Sequence, residues 1–180
     1  MKIGIDLDNT LCNTNIVIEK YMNIYIKDKN IIKEYLWENS EYKNNFLKKY
    51  LENIYLESIP KNNSVKVINN LLNKHKLCIV TARTSKYIDK DVNFIVKQYL
   101  KKYSINIDEI YCEAGDKVDF CINNNVDIMI DDSVYNCTRL KENKIKTILY
   151  DEENKYDWKY KVNNWNDLEN RIEEIMKKIT

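Results

Sequence analysis

The sequence predicts an α/β fold, a parallel sheet sandwiched by helices with a small helical cap inserted after the first strand. Three observations carry this. Five short runs rich in Ile, Val and Leu recur along the chain. Segments of helical period separate them, which is the signature of a parallel sheet covered on both faces. The interval after the first run is far longer than the ~2 to 6 residues of an ordinary strand-to-helix loop, so it must be an insertion.

In chain order, the first strand runs from Lys2 to Leu7 and delivers Asp6 and Asp8 to its C-terminal end, where open α/β sheets place their chemistry. The insertion follows, from about Asn13 to Pro60. Ile18, Tyr21, Met22 and Tyr25 mark one helix. Tyr42, Phe46, Leu47, Tyr50, Leu51, Ile54 and Tyr55 mark another, and Ile31, Ile32, Tyr35, Leu36 and Trp37 lie between them. The division is residues 1–14 and 61–180 as a Rossmann-like catalytic core and 15–60 as the cap over the strand ends. The alternative is a satellite hairpin that only stabilises the domain.

Ser64 is placed to cap a helix burying Val67, Ile68, Leu71 and Leu72. A second strand spans Leu77 to Thr81, and Val92, Ile95, Val96, Tyr99 and Leu100 form the stripe of a crossover helix. Strands from Glu109 to Cys112, Val126 to Ile130 and Lys146 to Tyr150 complete the sheet, with Lys117 opening a helical stretch between the first two. Asn166-x-x-Glu169 reads as a capping box before a closing helix with Leu168, Ile172, Ile175 and Met176.

Bulk composition narrows the function. A chain of 180 residues is one domain with room for an insertion, and it buries a core without disulfides. Basic and acidic residues number 29 and 28, a balance that favours a small-molecule substrate over a nucleic-acid polymer. The five cysteines, Cys12, Cys78, Cys112, Cys121 and Cys137, form no C-x-x-C pair and read as small buried groups in a reducing compartment. No apolar stretch approaches the ~18 residues of a membrane span, and no secretory leader pattern precedes the first strand. The expectation is a cytoplasmic enzyme with no membrane partner and its oligomeric state open. Abundant Lys, Asn, Ile and Tyr, with only two Gly and one Pro, reads as an A/T-rich coding bias. His75, the only histidine, precedes a strand and has no partner for a histidine-based mechanism.

Four groups of polar residues fall in a telling order: Asp6-Leu7-Asp8-Asn9-Thr10, then Thr81-Ala82-Arg83, then Lys117, then Asp131-Asp132. All but Lys117 sit at predicted strand ends. The chain thereby resembles the haloacid-dehalogenase-type phosphohydrolase superfamily, whose four motifs are D-x-D-x-T, a Ser or Thr, a Lys and an acidic pair. Asp6 is then the candidate nucleophile, forming an aspartyl-phosphate that splits one difficult step into two. Asp8 is the candidate acid and base. Two nearby carboxylates need a cation between them, and Mg²⁺, which takes carboxylate, carbonyl and water oxygens, suits the set. One of Asp131 and Asp132 would bind the metal directly while the other orients a water or Lys117. The resemblance favours Asp132 as the ligand and adds the backbone carbonyl of Asp8. Thr81, with backbone N–H groups of Leu7 and Ala82, would hold the phosphoryl oxygens. Lys117 would add a point charge beside nucleophile and phosphate. Arg83 would reach a substrate group or lie on the surface, and Thr10 would brace the loop.

Within that superfamily the chain looks most like the 5'(3')-deoxyribonucleotidases and their bacterial relatives. The likeness rests on Asp6-Leu7-Asp8-Asn9-Thr10-Leu11, Ile79-Val80-Thr81-Ala82-Arg83, Lys117-Val118-Asp119, Ile130-Asp131-Asp132-Ser133 and Trp165-Asn166-Asp167-Leu168. It implies removal of phosphate from nucleoside monophosphates, with the cap holding base and sugar. Tyr21, Tyr25, Phe46 and Tyr50 are expected to pack between cap helices, which leaves Trp37 as the candidate to stack a nucleobase. A phosphatase of another small ester, such as a sugar phosphate, is the alternative, and a non-catalytic nucleotide-binding protein is a second. A receiver-like domain has its acidic pair and phosphoacceptor in the opposite order. A metal-free dehalogenase has no use for Asp8 or for the acidic pair.

Overall fold

The computed structural model describes residues 1–178. Its sheet has six parallel strands, β1 (Lys2–Ile5), β2 (Lys76–Val80), β3 (Glu109–Tyr111), β4 (Ile128–Asp131), β5 (Lys146–Tyr150) and β6 (Lys161–Val162). Their order is β3-β2-β1-β4-β5-β6, so the chain winds one way from β1 through β3 and the other way from β4. The switch point therefore lies between β1 and β4, the place where such sheets open a crevice at their C-terminal ends. Ile5 pairs with Ile79 on one side and Ile130 on the other, which aligns the next residues of all three strands.

Residue alternation along the central strands explains the layers. Ile3, Ile5, Leu77, Ile79, Ile128 and Ile130 point into the larger core, under α4 (Ser64–Leu72), α5 (Val92–Lys102) and α8 (Leu168–Met176). Cys78, Val80 and Met129 face the opposite side, against α6 (Lys117–Asn123) and α7 (Val134–Glu142). Gly4 sits on that second face, where an added Cβ would lie 2.7 Å from Met129 Sδ and 3.1 Å from Val126 Cγ1, so no larger residue fits without displacement. All five cysteines are buried and free.

The insertion forms three helices, α1 (Thr14–Lys29), α2 (Lys33–Glu38) and α3 (Ser40–Glu57). They hold their own apolar cluster, in which Val17, Tyr21, Met22, Tyr25, Leu36, Phe46, Tyr50 and Ile54 meet. Its base is closed by the backbone: Asn13 N donates to Ile59 O at 2.9 Å and Lys61 N to Leu11 O at 2.8 Å. Leu51 and Tyr55, near the end of α3, join the larger core instead.

Several local expectations are corrected. β1 ends at Ile5, because the chain turns from Leu7 onward, and β4 starts two residues later than the apolar run that encodes it. β6 was absent from the sequence reading, being only two residues long. Ser64 does not cap α4 but is its first residue, donating its hydroxyl to Lys61 O at 2.7 Å. The closing helix is preceded by a 3-10 turn over Trp165–Asp167, which moves the cap to Asn164, whose side chain accepts from Asp167 N. Glu169 instead accepts from Asn70 of α4 and from Lys74 just beyond it.

Candidate active site

The site is built from the tips of β1, β2 and β4, and each tip ends in a residue whose burial the sheet enforces. Asp6 follows β1, and its N–H donates to Ile130 O at 3.0 Å, which keeps the residue at the sheet although the strand has ended. Asn9 then turns the chain at φ 62°, a left-handed conformation that Asn tolerates better than most residues. Trp165, buried 155 residues away, donates its indole N–H to Thr10 O at 3.0 Å and fixes the far side of this loop.

Lys117 is the first residue of α6, a poor place for a cation because the helix N-terminus carries partial positive charge. Two carboxylates offset that penalty. Lys117 Nζ donates to Asp6 Oδ1 at 2.6 Å and to Asp131 Oδ2 at 2.5 Å, joining the tips of β1 and β4. All three side chains are buried. Burial works to lower the proton affinity of Lys117, but Asp6 and Asp131 outweigh it and hold the ammonium charged well past neutrality. Burial likewise pushes the Asp6 carboxyl up to about 8, with Asp131 and Asp8 adding to the rise and Lys117 opposing it.

The acidic pair divides. Asp131 is fully buried and accepts from Lys117, from Ser133 N at 2.9 Å and from the Asn136 amide at 3.1 and 3.2 Å. Asp132 is half-buried, and its N–H donates to Thr10 Oγ1 at 2.9 Å. The Thr10 hydroxyl lies 3.2 Å from both Asp6 Oδ2 and Asp132 Oδ1, between the two carboxylates. Burial and the neighbouring Asp131 raise Asp132 to about 6. Carboxylate oxygens of Asp6, Asp131 and Asp132 lie within 4.8 Å of one another. Lys117 pairs with two of the three carboxylates, and an all-oxygen donor set of three acidic groups fits a hard divalent cation.

The Asp8 carboxylate is not part of that cluster. It turns the other way, accepting from Arg83 Nη2 at 2.8 Å, Arg83 Nε at 3.1 and 3.2 Å, and the Thr14 hydroxyl at 2.6 Å. Burial favours its neutral form, but Arg83 outweighs this and holds the carboxyl below its usual range. The two carboxylates of the first motif are thus tuned in opposite directions, which is how one site assigns different roles to like groups.

Arg83 itself corrects the surface alternative. It is not on the surface: its side chain has no exposure, and Nε, Nη1 and Nη2 all donate within the chain. Thr81 is buried at the tip of β2, its hydroxyl accepting from Arg83 N at 3.3 Å, while Ala82 between them is exposed. Trp37 lies on α2 with its ring edge against Phe46, 5.8 Å between centroids, and is 37% exposed. Tyr21, Tyr25, Phe46 and Tyr50 pack on one another inside the cap.

Asp132 opens onto a cleft of about 460 Å³ walled by Asn9, Asn13, Ile16, Lys61, Tyr150 and Tyr156, among others. Lys61 is buried there, donating to Asn13 Oδ1 at 2.9 Å and to Glu152, with its ammonium 5.2 Å from the Tyr150 ring centre. Sequence reasoning missed Lys61, Thr14 and Asn136, and it named Trp165 within the late Trp165–Leu168 stretch without a partner. Only Asn136 had a local signal, its placement in the first turn of a helix that Ser133 caps directly after the acidic pair.

Neither a family model nor a curated protein matches the chain. Solved structures do match in fold. A predicted phosphatase from Clostridium acetobutylicum superposes with a TM-score of 0.71 at 16% identity, covering 96% of this chain and 98% of that one. The haloacid-dehalogenase-type hydrolase YfnB from Bacillus subtilis, in a structure bound to magnesium, gives 0.68 at 13% identity, covering 96% and 98%. A 2-haloacid dehalogenase from Pseudomonas syringae gives 0.60 at 13% identity, covering 97% and 98%. The chain has the fold these hydrolases share, a parallel α/β sheet with helices on both faces.

Proposed function

We propose that the protein is a Mg²⁺-dependent phosphomonoesterase acting through an aspartyl-phosphate on Asp6, with (deoxy)nucleoside monophosphates as its substrates. One observation carries this: Asp6, Asp131 and Asp132 converge at the switch point of the sheet, and Lys117 pairs with Asp6 and Asp131 there. Asp6, Asp132 and the backbone carbonyl of Asp8 would hold the metal. When bound, the ion neutralises charge on the carboxylates and on the phosphoryl oxygens.

The chain's own residues supply the rest. Lys117 and Thr10 hold the Asp6 carboxylate in a fixed direction, ready to attack phosphorus. The ester P–O bond breaks as the P–O bond to Asp6 forms, and the proton of Asp8 passes to the departing alkoxide. A phosphate dianion beside Asp8 raises its proton affinity, so the group held as a carboxylate in the free chain takes up that proton on substrate binding. In the second half, water attacks phosphorus, gives a proton to Asp8, and the bond to Asp6 breaks to return the carboxylate. The Thr81 tip of β2 and the exposed backbone at Ala82 would meet the phosphoryl oxygens. Trp37 on the cap would stack the base.

A dehalogenase shares the fold, yet it attacks carbon and needs neither a proton donor at Asp8 nor a metal cluster. The deciding experiment is phosphate release from nucleoside monophosphates and sugar phosphates, with Mg²⁺ and with EDTA. Metal-dependent turnover strongest on deoxynucleoside monophosphates is expected, and better turnover of sugar phosphates removes the nucleotide assignment while keeping the phosphatase. Asp6→Asn should lower turnover by about 10³-fold or more while the protein still binds phosphate. Near-native rates in that variant rule out Asp6 as nucleophile.

A further inference from the structure

We propose that Arg83 is a positioning residue that aims Asp8 for proton transfer and makes that aim depend on the docking of the cap. The inference rests on the phosphatase reading above, in which Asp8 is the acid and base. A guanidinium with no exposure is expensive to bury unless its donors are matched. Here they are matched by two separate parts of the molecule, the loop after β1 and helix α3. Nε and Nη2 form a fork on Asp8, Nη1 donates to the backbone carbonyl of Tyr55 at 3.3 Å, and Nη2 also lies 3.5 Å from Cys12 Sγ. The Tyr55 ring covers the guanidinium at 4.5 Å and the Tyr99 ring lies 5.3 Å away.

Tyr55 belongs to the last turns of α3, the helix that returns from the cap, and its hydroxyl accepts from Thr84 N at 3.3 Å. Tyr99 belongs to α5 of the core. One cation thus touches the catalytic loop, the cap and the core at once, and no movement of α3 relative to β2 leaves its bonds unchanged.

The fork also selects an oxygen. Asp8 Oδ1 takes Nη2, Nε and the Thr14 hydroxyl, whereas Oδ2 has only the 3.2 Å contact from Nε. The Asp8 side chain keeps 30% exposure, so Oδ2 is the oxygen left to exchange a proton with the leaving group. A lysine in place of Arg83 would bring the charge without the planar fork.

The test is the first-turnover release of alcohol, with Mg²⁺, from an alkyl phosphate and from 4-nitrophenyl phosphate, whose leaving group needs no proton. Arg83→Lys should slow the alkyl ester about 100-fold and the nitrophenyl ester no more than about threefold. Because the residue acts through Asp8, adding Arg83→Lys to Asp8→Asn should cost at most about threefold more. Equal slowing of both esters, or full additivity with Asp8→Asn, overturns the proposal while leaving the phosphatase standing. A wild type inert toward both esters overturns the phosphatase reading and this role with it. Should thermal melts show Arg83→Lys unfolded, Tyr55→Leu removes the covering ring and keeps the fork's residues. It should slow the alkyl ester about tenfold and spare the nitrophenyl ester, and equal slowing of the two again overturns the role.

Discussion

Lys117 and Arg83 are both buried cations paired with carboxylates, and they sit on opposite sides of the same loop. Lys117 joins two strand tips of the core, so its geometry is set by the sheet register. Arg83 joins the loop after β1 to the cap, so its geometry is set by how a helical insertion sits on the sheet. The difference teaches where this molecule is rigid and where it adapts. The Asp6 carboxylate is fixed by the core alone, while the Asp8 carboxylate is fixed jointly by core and cap.

The largest effect should come from breaking the core side of that comparison. Lys117→Met leaves Asp6 and Asp131 facing each other without their cation. Removing one partner from a buried pair costs about 3 to 5 kcal/mol where the remaining charge cannot be neutralised. Here it can be in part, because Asp6 is already raised to about 8 and rises further without Lys117, so protonation relieves the strain at low pH. The expected result is a fall in Tm that is larger at pH 8 than at pH 5, with turnover lost by about 10³-fold or more. A Tm unchanged at pH 8 would show that the Lys117 bridge contributes nothing to the fold.

The core half was also the half legible in the sequence. Asp6, Thr81, Asp131 and Asp132 stand at the ends of apolar runs, and a parallel sheet brings such ends together whatever lies between them. Arg83 was misplaced because its burial depends on Tyr55 and Tyr99, partners from two distant helices with no signature in spacing. Trp165 braces Thr10 across 155 residues, a contact of the same illegible kind. β6 was missed because two residues carry no periodicity. The asparagine content, set aside as coding bias, has a structural use. Five of the eight non-glycine residues at positive φ among the described residues are asparagines: Asn9, Asn30, Asn63, Asn125 and Asn154. In a chain with two glycines, neither of them at positive φ, asparagine supplies the left-handed turns.

A smaller effect should sharpen the comparison by loading the core site. Asp6 and Asp132 are raised to about 8 and about 6, so the folded chain binds more protons than the unfolded chain across that range. Stability of the metal-free protein therefore falls as pH rises from about 4 to 8. A divalent cation binds the ionised forms, so the Tm gained on adding Mg²⁺ should grow over the same interval. At a hundredfold excess over Kd the gain corresponds to about 2.7 kcal/mol. Thermal melts with Mg²⁺ and with EDTA at pH 5.5 and pH 8 measure it, and no increment at pH 8 would remove the metal from the site.

The smallest effect belongs to the cap, and it separates packing from recognition there. Tyr21, Tyr25, Phe46 and Tyr50 are buried against one another, so truncating any of them disturbs the cap itself. Trp37 differs, because only its edge meets Phe46 and 37% of it stays exposed. An aromatic face that stacks a nucleobase contributes about 1 to 3 kcal/mol to binding. Trp37→Ala should therefore weaken nucleoside monophosphate binding by about five- to 150-fold while leaving 4-nitrophenyl phosphate turnover near the wild-type value. Such a split places recognition on the cap and chemistry on the core. Unchanged nucleotide affinity would instead make Trp37 one more member of the cap's packing. Recognition would then fall to the cleft beside Asp132, where Lys61, Asn13 and Tyr150 already present an ammonium, an amide and a ring at the core's own edge.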